Sequence, residues 1–221
     1  SVSASPSAGY AFDHWTLDGS YAGSTSPKTV TMNAPHNLVA YFTGTTYTLS
    51  VYVYKSGTTT GISGVTVKID GTSYTTDSSG RVSATVSGGS HTVEVVSPYS
   101  PSSGTRYVFT QWSDGSTSDP RTISVSADTG LTAYMKLQYL LSVSVNPSDG
   151  GTVSASPSSS DWYYDEDTSV TLTASANSGY AFDCWTGSAS GTSSSIPITM
   201  SSPKYETANF FSFSISVSPT S

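Results

Sequence analysis

The sequence predicts an all-β protein of tandem small β-sandwich modules, with an incomplete module at its N-terminal end and a spare strand at its C-terminal end. Three observations carry that expectation. A short signature recurs as Gly9-Tyr10-Ala11-Phe12-Asp13-His14-Trp15, as Thr105-Arg106-Tyr107-Val108-Phe109-Thr110-Gln111-Trp112, and as Gly179-Tyr180-Ala181-Phe182-Asp183-Cys184-Trp185. Between the copies, apolar residues alternate with period two from one turn signal to the next, and no window sustains a 3.6 period. Charged residues make up only 10% of the chain, against about 25% in an ordinary soluble domain. Tyr occurs 15 times, and Tyr and the abundant Thr suit a pleated, half-buried surface.

Each signature Trp is followed by a polar turn, then a Pro-marked strand at 26–32, 119–126 or 196–200. A strand end then closes the unit: Ala40-Tyr41-Phe42, Ala133-Tyr134 or Ala208-Asn209-Phe210-Phe211. A repeated supersecondary unit repeats because each copy needs the same interior. Tyr10, Phe12 and Trp15, Tyr107, Phe109 and Trp112, and Tyr180, Phe182 and Trp185 are therefore the predicted core signature. The middle of the chain supplies strands at 49–54, 65–69, 82–86 and 91–96, separated by the turns Asp70-Gly71, Asp77-Ser78-Ser79-Gly80 and Gly88-Gly89. The expected modules are 1–44, a partial repeat lacking its first strand or strands; 45–138, a sandwich; 139–211, a complete repeat; and 212–221, a donor-like strand or the start of another module.

The ends do not match whole modules. Ser1-Val2-Ser3-Ala4-Ser5-Pro6 runs almost at once into the first signature, whereas Phe213-Ser214-Ile215-Ser216-Val217-Ser218-Pro219 resembles Leu141-Ser142-Val143-Ser144-Val145-Asn146-Pro147. A module without a strand exposes unpaired backbone groups and open core, and an alternating strand is what such a slot accepts. Two readings follow. The chain is a window of a longer repetitive protein, or Phe213, Ile215 and Val217 of one subunit fill the N-terminal module of the next. A head-to-tail contact of that kind makes an open filament unless rotation closes it.

Chemistry is sparse. The net charge is −7 with eight Lys and Arg, which excludes the basic patches of nucleic-acid binders. No apolar run reaches the ~20 residues of a membrane span. The single cysteine, Cys184, occupies the slot of His14 and Gln111 and reads as an ordinary strand residue. His14, His36 and His91 show no metal spacing, and no nucleophile elbow or phosphate loop is present, so no enzyme and no cofactor are expected. Asp161, Asp165, Glu166 and Asp167 are the weak candidate ligands for Ca²⁺; their spacing matches no EF-hand, and most short acidic loops are simply solvated. Asp70, Asp77 and Asp114 lie in turns, which accounts for them without a metal. Trp162, Tyr163 and Tyr164 stand outside the signature and form the candidate patch for a glycan or a subunit.

Gly64-Val65-Thr66-Val67, Asp70-Gly71, Thr76-Asp77-Ser78-Ser79-Gly80-Arg81 and Gly88-Gly89-Ser90-His91-Thr92-Val93 resemble the carboxypeptidase-regulatory-like, or transthyretin-like, extracellular modules over about 46–97. Phe109 to Gly115 and Pro120 to Ile123 look like repeat segments of large archaeal surface and secreted proteins. Leu141 to Val145, Gly150-Gly151-Thr152-Val153, Val170-Thr171-Leu172-Thr173-Ala174, Gly179 to Phe182, Trp185 and Ala208-Asn209-Phe210 resemble the divergent InlB B-repeat family over 139–211, with partial copies at 1–43 and 105–138. The stretch 158–167 departs from that pattern by its length and acidity. The resemblance implies Ig-like modules of an archaeal or bacterial cell-surface protein, extracellular and structural: a filament, stalk or surface layer. Its partner is then a second copy or neighbouring modules of the same long chain. The alternative is an adhesin or a carbohydrate-binding accessory module.

Overall fold

A computed structural model describes residues 1–213. Eighteen strands, and no helix among the described residues, follow in order. They are β1 (Tyr10–Leu17), β2 (Ser20–Gly23), β3 (Leu38–Gly44), β4 (Thr46–Lys55), β5 (Thr66–Ile69), β6 (Thr72–Thr75), β7 (Arg81–Ser87), β8 (Gly89–Val95) and β9 (Tyr99–Ser102). After these come β10 (Thr105–Trp112), β11 (Arg121–Val125), β12 (Thr129–Asn146), β13 (Gly151–Ser156), β14 (Tyr163–Asp165), β15 (Ser169–Ala176), β16 (Tyr180–Gly187), β17 (Ser195–Thr199) and β18 (Lys204–Ser212). The chain forms two compact units, Ser1–Val96 with Thr110–Tyr134, and Ser97–Phe109 with the chain from Met135 on.

In the first unit, β2-β1-β3 make a three-stranded antiparallel sheet. A sandwich follows, in which β4 pairs β7 from Thr46↔Ser87 to Tyr52↔Arg81 and a second sheet runs β11-β8-β5-β6. Strand β7 shows how the sequence selects this arrangement. Val82, Ala84 and Val86 are buried, and Arg81, Ser83, Thr85 and Ser87 face out, as a period of two demands. Leu49, Val51, Val53, Val65, Val67, Val93 and Val125 complete that core. Asp70 and Gly71 are the two-residue loop that joins Ile69 to Thr72 across β5 and β6, the hairpin that an Asp-Gly pair favours. Asp77 Oδ1 accepts from the N–H groups of Ser79 and Arg81 and closes the second predicted turn.

In the second unit, β18 lies between β16 on its antiparallel side and β12 on its parallel side, paired from Leu141↔Lys204 to Asn146↔Asn209. A second sheet, β13-β15-β17, supplies the other layer. Leu141, Tyr164, Val170, Leu172, Trp185, Ile196, Ile198, Met200, Ala208 and Phe210 form one buried cluster. Strand β12 is longer than two separate modules would give, because 131–146 contains neither Gly nor Pro to stop it. Residues 97–109, expected within the 45–138 sandwich, belong to the second unit. There β9 pairs β10 at Thr105↔Ser102 and Tyr107↔Tyr99.

Candidate functional site: an uncovered module

The first and third signatures fold alike. Strand β1 pairs β3 through Tyr10↔Gly44, Phe12↔Phe42, Trp15↔Ala40 and Leu17↔Leu38. Strand β16 pairs β18 through Tyr180↔Ser212, Phe182↔Phe210, Trp185↔Ala208 and Gly187↔Glu206. Both ladders shift register at the Asp of the signature, between Phe12 and His14 and between Phe182 and Cys184. A bulge there re-aims the following Trp. Phe12 and Trp15 sit 5.4 Å apart and Phe182 and Trp185 5.5 Å apart, each pair tilted by 52°. Phe12 meets Phe42 edge-on as Phe182 meets Phe210. The match continues to the isolated bridge Val2↔Lys28, whose counterpart is Leu172↔Ile196.

What differs is the cover. Phe210 is 6% exposed and Phe42 40%; Met200 is 0% exposed and its counterpart Met32 72%; Leu172 is 0% exposed and its counterpart Val2 50%. In the complete module, Gly150 and Gly151 press on Phe210, and a Cβ on Gly151 would lie 2.5 Å from the ring's Cζ. Leu141 and Tyr164 join the same cluster. Residues 1–44 contain no counterpart of the stretch 141–169. The edge of β3 that corresponds to the β12 side of β18 therefore pairs with no named strand among the described residues. Seven of the ten large apolar side chains left exposed in the described chain fall in its first 42 residues: Val2, Tyr10, Tyr21, Met32, Val39, Tyr41 and Phe42. They do not share one face: Phe42 is on the side of β3 that meets Phe12, and Val39 and Tyr41 are on the other.

Of the predicted core signature, Trp15, Trp112 and Trp185 are buried. Each indole Nε1–H donates to a backbone carbonyl of the loop that follows: Thr25 at 3.1 Å, Ser118 at 2.9 Å and Ser193 at 3.1 Å. A buried indole N–H needs such a partner. Phe12, Tyr107, Phe109, Tyr180 and Phe182 are half-buried. Tyr10 departs from the expectation of a core ring, at 55% exposed. Tyr180 donates its hydroxyl to Asp149 Oδ2 at 2.8 Å, and Asp149 lies in the stretch that has no counterpart beside Tyr10. Phe213 is exposed, and its N–H donates to Gly179 O at 3.0 Å. Ile215 and Val217 lie outside the described residues.

The acidic loop is used as a clasp. Arg106 holds Asp161 at 2.7 Å, donates to Gln138 Oε1 at 2.7 Å and lays its guanidinium 3.9 Å over the Tyr163 ring. Its hydrogen bond, joined by those of the Tyr163 N–H and the Ser159 hydroxyl, keeps the Asp161 carboxyl below the ordinary carboxylate range. Asp165 accepts from Lys136 at 2.7 Å and Gln138 at 2.8 Å; burial pushes its carboxyl up, and those donors bring it below the usual value. Asp167 takes a positive φ of 63° in the turn, and the Glu166 N–H donates to Leu137 O. Asp161, Asp165, Glu166 and Asp167 are thus not gathered for Ca²⁺, and the described residues hold no metal-competent group of three or more His, Cys, Asp and Glu. The aromatic patch is not assembled either. Tyr164 is buried in the core, Tyr163 lies under Arg106, and Trp162 lines a pocket of about 290 Å³ without them.

Two buried ionisable groups escaped the sequence. His91 holds Asp70 through Nδ1 at 2.7 Å and faces the Ser87 carbonyl with Nε2 at 2.7 Å. Both ring nitrogens have acceptors, so the Asp70 carboxylate raises the His91 pKa. Glu206 is 2% exposed, takes the Ala189 N–H on Oε1 at 3.0 Å, and has no partner on Oε2. Burial pushes its carboxyl up. Its cross-strand neighbour is Gly187, where a Cβ would meet Tyr205 O at 2.0 Å; in the first module this pair is Leu17 and Leu38.

The family model of the divergent InlB B-repeat domain matches residues 1–46 and 141–212. No curated protein matches the sequence. Among solved structures, the chain is similar to the Bacillus anthracis TIE protein at 10% identity and a TM-score of 0.34, over 79% of this chain and 36% of that one. It is also similar to a streptococcal ancillary pilin at 10% identity and a TM-score of 0.32, over 81% of this chain and 72% of that one. A DUF3823 family protein from Bacteroides ovatus matches at 12% identity and a TM-score of 0.28, over 77% and 82%. The chain spans about a third of the first of these, and likeness of this degree carries no argument about role. The family model covers more than half of the sequence, in the same two copies whose β1–β3 and β16–β18 ladders share their register, and this chain belongs to the divergent InlB B-repeat family.

Proposed function

We propose that this protein is a structural subunit of an extracellular filament, stalk or surface layer, and that copies join head to tail when the C-terminal strand of one completes the N-terminal module of the next. The observation that carries the reading is the pair Phe42 and Phe210, the same ring in the same ladder, uncovered in one module and buried in the other. The chain contains a close copy of the strand that sits beside β18. Leu141, Val143 and Val145 alternate with Ser142, Ser144 and Asn146 there, and Phe213, Ile215 and Val217 alternate with Ser214, Ser216 and Ser218. Strand addition supplies main-chain hydrogen bonds along the open edge and buries three apolar side chains. Each is worth about 1.5–3 kcal/mol before the cost of ordering the segment. A surface low in charge, a liability for a soluble monomer, suits a chain that pairs edges. Its work is mechanical, and the family and the composition support a place outside the cell.

Negative-stain micrographs of the intact chain should show polymers, and a chain lacking residues 213–221 should stay a folded monomer. An intact chain that remains monomeric at high concentration overturns the reading and leaves the first module to be covered by other modules of a longer chain.

A further inference from the structure

The complete module also fixes how an incoming strand must lie, an inference that rests on the assembly just proposed. Each pairing of β1 with β3 has its counterpart between β16 and β18. Leu38 therefore stands where Glu206 does, Val39 where Thr207 does, Ala40 where Ala208 does and Tyr41 where Asn209 does. On the far side of β18, strand β12 runs parallel, with Val143 opposite Glu206, Ser144 opposite Thr207, Val145 opposite Ala208 and Asn146 opposite Asn209. We infer that residues 213–218 of a second copy lie parallel to β3 in one register: Ile215 opposite Leu38, Ser216 opposite Val39, Val217 opposite Ala40 and Ser218 opposite Tyr41.

Side-chain period enforces that register. Leu38, Ala40 and Phe42 are on the face of β3 that meets Trp15 and Phe12, because Ala40 is opposite Trp15 and Phe42 opposite Phe12. Their counterparts Glu206, Ala208 and Phe210 are buried. A slip of one residue would turn Phe213, Ile215 and Val217 to the outer face and put serines against the rings. The substitutions within the strand agree with an emptier slot. Leu141 of the complete module shares its buried cluster with Tyr164, a ring with no counterpart in residues 1–44. The incoming strand offers Phe213 at that position and Ile215 where the complete module has Val143, both larger side chains. The occupant is a second copy of this chain, because the segment that matches the slot residue by residue is its own.

Cysteine pairs on the outer face test the register without disturbing the buried one. In a Cys184→Ser background, Ser216→Cys with Val39→Cys and Ser218→Cys with Tyr41→Cys should give ladders of disulfide-linked multimers under mild oxidation. Ser218→Cys with Asn37→Cys should give no more multimer than the single-cysteine chains. A ladder from the Asn37 pair in place of the Tyr41 pair means an antiparallel strand and overturns the inference. Polymers that form with no ladder from either expected pair overturn the register while the assembly stands. A disulfide confined to single chains means that each tail fills its own module, which overturns both. Chains that do not polymerise before any cysteine is introduced overturn the assembly itself.

Discussion

The two copies of the B-repeat in this chain share a ladder, a bulge and an aromatic pair, and differ in whether anything lies over them. In the second unit the ladder of β16 and β18 is one layer of a closed module, and its inward residues, from Trp185 to Phe210, are buried. In the first unit the equivalent ladder of β1 and β3 keeps Trp15 buried through its own strand and loop, while Phe42, Met32 and Val2 face solvent. Local pairing is thus enough to set backbone geometry in this repeat. The second copy has in addition the 141–169 stretch, which contributes Leu141 and Tyr164 to its buried cluster. The teaching of the pair is that one sequence motif can be a covered core in one place and an exposed face in another.

The sharpest break of the comparison is at the ring itself. Phe210→Ala should cost about 3–5 kcal/mol, the loss for a buried Phe in a packed core. Phe42→Ala should cost the monomer only a fraction of that and should instead abolish polymers; urea unfolding and electron microscopy read the two effects separately. Equal losses of stability would mean that Phe42 already has a packed environment.

A second, smaller difference lies where Gly187 and Glu206 replace Leu17 and Leu38. A carboxyl whose pKa is raised on folding binds its proton more tightly in the folded state, so its penalty grows as pH rises from the unfolded value toward the folded one. Glu206→Gln keeps the acceptor for Ala189 and removes the buried charge. The unfolding free energy should rise for this variant at pH 7, by on the order of 1 kcal/mol and with a higher denaturation midpoint, and change little near pH 4. A midpoint unchanged at both values would mean that the carboxyl is not desolvated.

The smallest effect concerns His91 in the sandwich of the first unit. Its raised pKa contributes stability that is complete below the unfolded value of about 6.5 and fades as pH rises through the folded value. Asp70 limits the pair on the acid side. Burial opposes its ionisation, but His91 and the Thr92 N–H hold it below the ordinary carboxylate range. The bond is therefore strongest between those two titrations. His91→Ala should destabilise by on the order of 1 kcal/mol more at pH 5.5 than at pH 9, the half-exposed Asp70 limiting the gain. A loss independent of pH would assign His91 to packing alone.

Period-two alternation made the strands legible, as β7 shows residue by residue, and the repeated Trp marked the buried anchor in three places. The likeness of 213–219 to 141–147 was visible as letters. The uncovered face was only half legible: the short lead-in to the first signature could be seen, but Tyr10 looked like a core residue because its counterpart Tyr180 takes its partner, Asp149, from 31 residues away. The acidic loop looked like a cation site because one-dimensional clustering does not show that Arg106 and Lys136 arrive from other strands. Glu206 gave no signal by itself. Setting it beside Leu38 would have exposed a buried carboxyl, since the two positions share a ladder rung and not a chemistry.

The indole hydrogen bond has a consequence for how this repeat tolerates change. Its acceptor is a main-chain oxygen 10 residues downstream of Trp15, 6 downstream of Trp112 and 8 downstream of Trp185. Any amino acid can supply that oxygen, so the tether is indifferent to the identity of the tethered residue. Segments of unequal size can be spliced between the anchor and the next strand, and each is still drawn back over the ring. Diversity in these crossings is cheap for the scaffold, which makes them the natural place to graft new surface chemistry.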